Sequence, residues 1–257
     1  MARRRKQARP EAEPSLALPG PAGETLAAFP AAVVNPLRHM ITLLSANGTL
    51  PSRLALIAAL REEGVTYTGL ALATIMAHDQ PGTVCLIELN WEWPGLQRLL
   101  GAGAAQADTG PEQKDAAAPA AAALTGLAAV LESQAALDEA LIRTGFPNLA
   151  LLPAGEMPAD RRPVAARSSR LRAIIEQLAD RFDCLLLDVP AVTATIDAIP
   201  LARLASACLV VIRQGVTPRR VVASLLDDLG QSSVLGVVLN RAAVATPRGL
   251  LKIIPQE

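Results

Sequence analysis

Aromatic side chains are scarce in this 257-residue sequence: three Phe, two Trp and one Tyr make up 2% of it. Half of the chain is nevertheless hydrophobic. The apolar content is therefore mostly Ala, Leu and Val, which suits close-packed layers of helix on sheet. An excess of either charge is also missing, because 24 Lys and Arg balance 24 Asp and Glu. No global field points to nucleic acid or to an acidic partner, and no nucleic acid is expected. Cysteine is limited to Cys85, Cys184 and Cys208, each within or beside an apolar run. Their spacing fits no zinc pattern, so they read as buried small residues. Long apolar runs are absent as well. No stretch reaches the roughly 18 uncharged apolar residues of a membrane span, and the longest Ala-rich stretch, 115–142, is interrupted by Pro119. The opening "MARRRKQARPEAEP" has a basic start but no apolar segment behind it. No signal peptide and no transmembrane segment are expected, which places the chain in the cytoplasm. Arg3, Arg4, Arg5 and Lys6 read as part of a solvated tail.

What is present is an alternation of strands and helices. Residues 1 to about 25 are rich in Pro, Glu and Gly and read as disordered. A single domain is expected over 26–257. Within 31–46 a helix is predicted from about Pro36, since proline is tolerated in a first turn. "RLALIAAL" (53–60), "TVCLIEL" (83–89), "NLALLPAG" (148–155), "DCLLLDVP" (183–190), "ACLVVIRQG" (207–215) and "VLGVVLNRA" (234–242) read as strands. Helical spacing marks 67–77, 94–100, 126–142 (one helix or two short ones), 168–182 with serine caps, about 196–205, and 217–229. Residues 102–124 are Ala-, Gly- and polar-rich and read as a mobile insertion or loop. Strands apolar on both faces, each followed by a helix, predict an α/β fold. The expected form is three layers, α/β/α, around a mainly parallel central sheet. Right-handed crossovers put the strand C-ends on one edge, where ligands of such sheets bind. Gly64 and Thr66, Glu88 and Asn90, Asp188 and Pro190, Arg213 and Gly215, and Asn240 and Arg241 all fall at or just after predicted strand C-ends.

Two readings stand side by side at each candidate. "ALREEGVTYTGLALA" (59–73) has the strand, glycine turn and helix of a phosphate loop. Backbone N–H groups at such a helix start attract anions, and Thr66 stands where a hydroxyl would bind Mg²⁺. Yet Val65 stands where lysine would reach the outer phosphates, and Glu62 and Glu63 repel them. The plain alternative is an ordinary turn with Gly64 relieving strain. "LLLDVPAV" ends a buried strand on Asp188, an acid that can hold a Mg²⁺-bound water, or simply a turn acid before Pro190. In "LIELNWEWPGL", Trp91 and Trp93 either pack on the adjoining helix or form an exposed patch. Asn240 could contact a nucleobase or serve the turn.

The order of these phrases resembles the cytoplasmic domain of the bacterial tyrosine kinases of capsule and exopolysaccharide synthesis, relatives of the MinD/ParA group of P-loop ATPases. The resemblance runs from about Val33 to Ala242. It is carried by "GLAAVLESQAALDEAL…PNLALLPAGEMP", "LRAIIEQLADRFDCLLLDVPAV" and "VIRQGVTPRR…LGVVLNRA". It implies a P-loop NTPase-like fold and an ATP and Mg²⁺ site built on Gly64, Val65, Thr66, Tyr67, Asp188, Pro190, Asn240 and Arg241. Metal contacts would fall to Thr66 and Asp188. The catalytic motifs depart from the family pattern. Val65 replaces the loop lysine, and Arg61-Glu62 replaces a Pro-Gly. The second motif, Asp-x-Asp-x-Arg, appears as Glu88-Leu89-Asn90-Trp91-Glu92, so Glu88, Asn90 and Asp188 read as vestigial catalytic positions. Of an oligomer-forming Glu-x-x-Arg-x-x-Arg, only Arg38 remains, after Ala32 and Asn35. The C-terminal tyrosine cluster is missing, and the single tyrosine is Tyr67.

These departures lead to the expectation of a catalytically inactive relative with weak or no nucleotide binding. It would serve as a binding or regulatory subunit beside an active tyrosine kinase paralogue or a membrane chain-length or polysaccharide-export protein. Homo-oligomers and a peripheral position at the inner membrane face fit that picture. Two alternatives stay open. One is an ATP-binding enzyme with a rearranged site, using Arg213 or Arg219 as the cation. The other is a MinD/ParA-like positioning protein.

Overall fold

The computed structural model describes residues 14–48, 50–101, 125–230 and 232–242. The basic start and the 102–124 segment lie outside the described residues. The described chain opens with an antiparallel hairpin, β1 (Pro14–Pro19) and β2 (Thr25–Pro30), followed at once by helix α1 (Ala31–Ala46). Then come β3 (Arg53–Ala58), α2 (Val65–Asp79), β4 (Val84–Glu88) and α3 (Leu96–Gly101). The middle holds α4 (Leu127–Leu131), α5 (Leu137–Ala140), β5 (Ile142–Arg143) and β6 (Leu149–Leu152). It continues through α6 (Arg162–Ala166), α7 (Ser169–Ala179), β7 (Cys184–Asp188) and α8 (Ala198–Ala202). β8 (Ala207–Arg213), α9 (Arg219–Leu229) and β9 (Ser233–Asn240) complete it.

β3 to β9 form one sheet in the order β5-β6-β4-β7-β3-β8-β9, parallel throughout except for the two-residue β5 against β6. The α/β expectation of a mainly parallel sheet therefore holds. β3, β4, β6 and β7 are buried almost residue for residue, which is why they read as unbroken apolar runs rather than alternating ones. One core cluster lies on each face. Alternate strand residues such as Ile57, Ile87, Leu187 and Val210 meet α4, α5, α7, α8 and α9. Their neighbours Leu56, Leu86, Leu186 and Leu209 meet α1, α2 and the hairpin. Helix α2 is buried from Thr68 to Ala77, all round, because the hairpin and α1 cover its outer side.

The sequence reading fails at the N-terminal side in two places. Residues 14–25, read as part of a disordered tail, belong to the β1–β2 hairpin. Leu16, Leu18, Ala27 and Phe29 are all buried, Leu18 and Phe29 completely. The Pro- and Gly-rich stretch that suggested disorder makes the turn of this hairpin, with Gly23 at φ 87° and the Gly20 N–H on the Glu24 carbonyl. Helix α1 begins at Ala31 rather than near Pro36, and Pro36 sits inside it. An interior proline removes one backbone hydrogen bond. Burial of Val34, Leu37 and Ile41 on the hairpin side offsets that loss. The short β5 and α6 had no sequence signal strong enough to be read.

The connection leaving β3 crosses over β7 to β4, and the one leaving β7 crosses over β3 to β8. The two connections use opposite faces, α2 in one cluster and α8 in the other. The C-ends of β3 and β7 thus form a topological switch point, where α/β sheets open a crevice. Among the described residues no helix is long and apolar enough to cross a membrane.

Candidate functional site

The switch point gathers the residues marked in the sequence. Gly64 precedes α2 with φ 93°, a left-handed conformation open mainly to glycine. Space demands glycine as well, since a Cβ there would lie 2.1 Å from the Asn240 amide nitrogen. Glu62 is also left-handed, at φ 63°. The loop is closed by its own side chains. Glu63 is 2% exposed, and its Oε2 accepts the Leu60 N–H at 2.9 Å. Its other oxygen accepts the Thr217 hydroxyl, which arrives from the β8–α9 connection. The Asn240 amide donates to the Glu63 carbonyl at 2.8 Å. Asn240 therefore serves the loop, and its Oδ1 accepts the N–H of Arg241, itself left-handed at φ 54°.

Val65 and Tyr67 turn away from this crevice. Both pack against the α1–α2 core cluster, and the Tyr67 ring meets Phe29 edge-on at 5.4 Å. Thr66 faces the turn after β4, where a Cβ on Gly95 would lie 2.7 Å from its hydroxyl. Asp188 ends β7 directly beside Glu88 at the end of β4. Both carboxyls are fully buried, but their surroundings differ. Glu88 is engaged on three backbone N–H groups: Gly95, Leu96 at 2.9 Å and Ala154 at 3.1 Å. Neither Asp188 oxygen makes a full hydrogen bond among the described residues. Burial pushes the Asp188 carboxyl well above the usual carboxylate range, and the Glu88 carboxyl adds to this. The Thr66 hydroxyl pulls weakly the other way. Burial also raises Glu88, against the lowering effect of its backbone donors.

Asn90 is engaged too, its Oδ1 accepting the Trp93 N–H at 3.1 Å. Neither tryptophan forms an exposed patch. Trp91 is buried in the core, while Trp93 lies under the Arg61 guanidinium, 3.5 Å from its carbon to the ring centroid. A small, open depression beside Trp91 is lined by Asn90, Arg162, Pro190, Thr195 and Asp197. Arg219 stands exposed at the start of α9, and Arg213 is half-buried at the end of β8. Arg38 is engaged within the chain, on Asp79 of α2 at 2.5 Å. Sequence reasoning missed the locking role of Glu63 and Thr217. The available signal was an acid immediately before the loop glycine.

For Mg²⁺ the fit is partial. Thr66 and Asp188 offer two oxygen donors, and the orphaned Asp188 carboxylate suits a hard cation. Glu88 is already taken, and no group of three His, Cys, Asp or Glu residues able to hold a metal exists among the described residues. Mg²⁺ commonly takes one or two carboxylates and fills its sphere with phosphate and water. These two residues would therefore hold it only alongside a bound phosphate, whose charge it would neutralise.

No family model matches the chain. It is 29% identical over 192 residues to the succinoglycan biosynthesis transport protein ExoP of Rhizobium meliloti, covering 73% of this chain and 22% of that one. It is 30% identical over 131 residues to the tyrosine-protein kinase CpsD of Streptococcus agalactiae, covering 48% and 55%. The chain is a homologue of bacterial tyrosine kinases. It spans about a fifth of the first relative's length and about half of the second's. Its fold matches the VpsO kinase domain with a TM-score of 0.68 at 20% identity, over 83% of this chain and 94% of that one. It also matches the septum site-determining protein MinD of Pyrococcus horikoshii, solved with Mg-ADP, with a TM-score of 0.55 at 19% identity, over 79% and 77%. Those likenesses agree with a P-loop NTPase-like architecture for this homologue.

Proposed function

We propose that this homologue does not transfer phosphate and acts as a binding or regulatory subunit in exopolysaccharide or capsule assembly. Its partner would be an active tyrosine kinase or a membrane chain-length or export protein, met at the inner face of the cell membrane. The observation that carries this reading is the self-occupied loop. The Glu63 carboxylate is buried on the Leu60 N–H and the Thr217 hydroxyl, and Asn240 closes on Gly64. A phosphate entering there would meet a fixed negative charge, a repulsion of about 1 kcal/mol or more at contact distance. Val65 supplies no compensating cation. Phosphoryl transfer rests almost entirely on positioning and charge stabilisation, and Glu88 and Asn90 are committed to backbone partners. The purified chain with Mg²⁺ and ATP is expected to show no hydrolysis above the blank. Mg²⁺-dependent hydrolysis that disappears in Asp188→Ala would sink the proposal.

One observation favours a second reading, in which the chain binds a nucleotide without turning it over. Asp188 keeps two unpartnered oxygens next to Thr66 at the switch point. A fluorescent ATP analogue separates the readings. Saturable Mg²⁺-dependent binding below millimolar concentration, lost in Asp188→Asn, supports the second; a flat titration removes it.

A further inference from the structure

β9 has β8 on one side and, among the described residues, no strand on the other. Its sequence, "SVLGVVLN", carries no charge and no proline, the usual protections of an edge. Its register with β8 sets which way its side chains point. Cys208 and Val210 belong to the core cluster that holds α9, and Ile212 packs against it. Their partners across the ladder are Val234, Val237 and Leu239, so these three share the α9 face of the sheet. They are 36%, 47% and 57% exposed. Leu226, on α9 itself, is exposed as well. Half of the eight exposed large hydrophobic side chains among the described residues thus belong to β9 and α9.

Helix α9 also carries a reversed order of charge. Arg219 and Arg220 open it, and Asp227 and Asp228 lie in its last turn. The helix dipole favours the opposite, acids at the start and bases at the end. None of these four side chains makes an ion pair among the described residues. Arg219 and Asp227 are about 12 Å apart along the helix, too far to pair with each other. Arg219, Ala223 and Asp227 follow at intervals of four, so they share one side of the helix, with Leu226 beside them, and all four are exposed. Turned about a twofold axis near Ala223, this stripe is complementary to itself. The Arg219 of each copy then meets the Asp227 of the other.

We propose that two copies of this chain join edge to edge through β9, antiparallel about a twofold axis, with their α9 helices side by side. Antiparallel pairing satisfies the open N–H and C=O groups of both edges. The joined strands bring Val234, Val237 and Leu239 of both copies onto one apolar floor between the two α9 helices. From β8 of one copy to β8 of the other is three strand spacings, about 14 Å. Leu226 and an Arg219–Asp227 pair can fill that gap from either side. The antiparallel helices also set the start of each beside the end of the other, which offsets the reversed charge order. A twofold contact faces each surface with itself, so a charge in the middle of β9 would oppose its own kind, and β9 has none.

Sedimentation equilibrium of the full chain over a wide range of concentration tests this. The expected result is a reversible dimer. Val237→Lys, at an exposed position, is expected to raise the dimer dissociation constant by about tenfold or more, because it sets two like charges together on the apolar floor. Arg219→Asp and Asp227→Arg are each expected to raise it on the order of tenfold, and the double variant to return it to near the parent value. Each single charge reversal also gives α9 a charge order closer to the one its dipole favours, so weaker pairing would not reflect unfolding. If Val237→Lys does not fold, the charge exchange carries the test alone. A chain that stays monomeric over the whole range overturns the proposal, in favour of a different cover for β9. A dimer that withstands both single reversals, or a double variant no tighter than the single ones, overturns it as well.

Discussion

At the scale of single residues, the two neighbouring acids Glu88 and Asp188 show how context divides one chemistry into two roles. Glu88 is satisfied by three backbone donors, whereas Asp188 is buried without a full partner. The folded-state pKa of Asp188 lies above its unfolded value. The folded protein therefore holds that proton more tightly than the unfolded chain. Its stabilising effect is complete at pH below the ordinary carboxylate range and is lost as pH rises through the higher folded value. Asp188→Asn removes the ionisable group in a similar shape. It is expected to be more stable than the parent at pH 8, by about 2 kcal/mol, the scale of an unsatisfied buried polar group. Urea unfolding at pH 8 and pH 4.5 checks this: the advantage should shrink at the lower pH, and a pH-independent difference would contradict the assignment. Glu88→Ala behaves oppositely. It orphans three buried N–H groups and is expected to cost about 3 kcal/mol or more at pH 7, read from the same unfolding curves.

At the scale of elements, the N-terminal hairpin makes the fold different from what composition suggested. Pro19, Gly20, Pro21 and Gly23 look like disorder when counted, but Pro19 ends β1 and the others make the turn to β2, between strands whose alternate residues are buried. That period of two spans only a few residues on each side, so it is hard to see against a Pro-rich background. Phe29 is fully buried against the cluster that also holds α1 and α2. Phe29→Ala is expected to lower stability by about 3–5 kcal/mol, measured by chemical denaturation. A change under 1 kcal/mol would return the hairpin to the status of a tail. Helix α7 shows the opposite case, fully legible from sequence. The Ser168 hydroxyl accepts the Leu171 N–H at 3.0 Å, and Leu171, Ile174, Ile175 and Leu178 bury one face. Ser168→Ala should cost about 1 kcal/mol by thermal unfolding.

At the scale of the whole molecule, a central sheet covered on both faces leaves the three thiols without access to solvent. Cys85, Cys184 and Cys208 are free and buried, and burial raises all three, Cys184 to about 12. A thiol reagent at pH 7.5 is expected to label none of them in the native protein and all of them in denaturant. Labelling in the native state would report opening of the sheet. The same two-sided cover explains the Ala-rich composition. Helix α2 lies between the sheet on one side and the hairpin with α1 on the other, and Gly69 lets it approach Leu86 and Leu56.

The sequence alone determined the parallel α/β architecture, because strands buried on both faces must be apolar throughout and each needs a crossover helix. It also placed Gly64, Glu88, Asp188, Arg213 and Asn240 at strand C-ends, since that follows from the order of elements. Tertiary structure decided which of these side chains are free. Glu63 meets Thr217 and Asn240 across 154 and 177 residues of sequence, and Glu88 meets Ala154 across 66. Contacts of that separation depend on how crossovers stack strands side by side, which no local pattern encodes. The missing lysine was visible at Val65; that the loop is closed by its own carboxylate was visible only once β3, β8 and β9 lay next to one another.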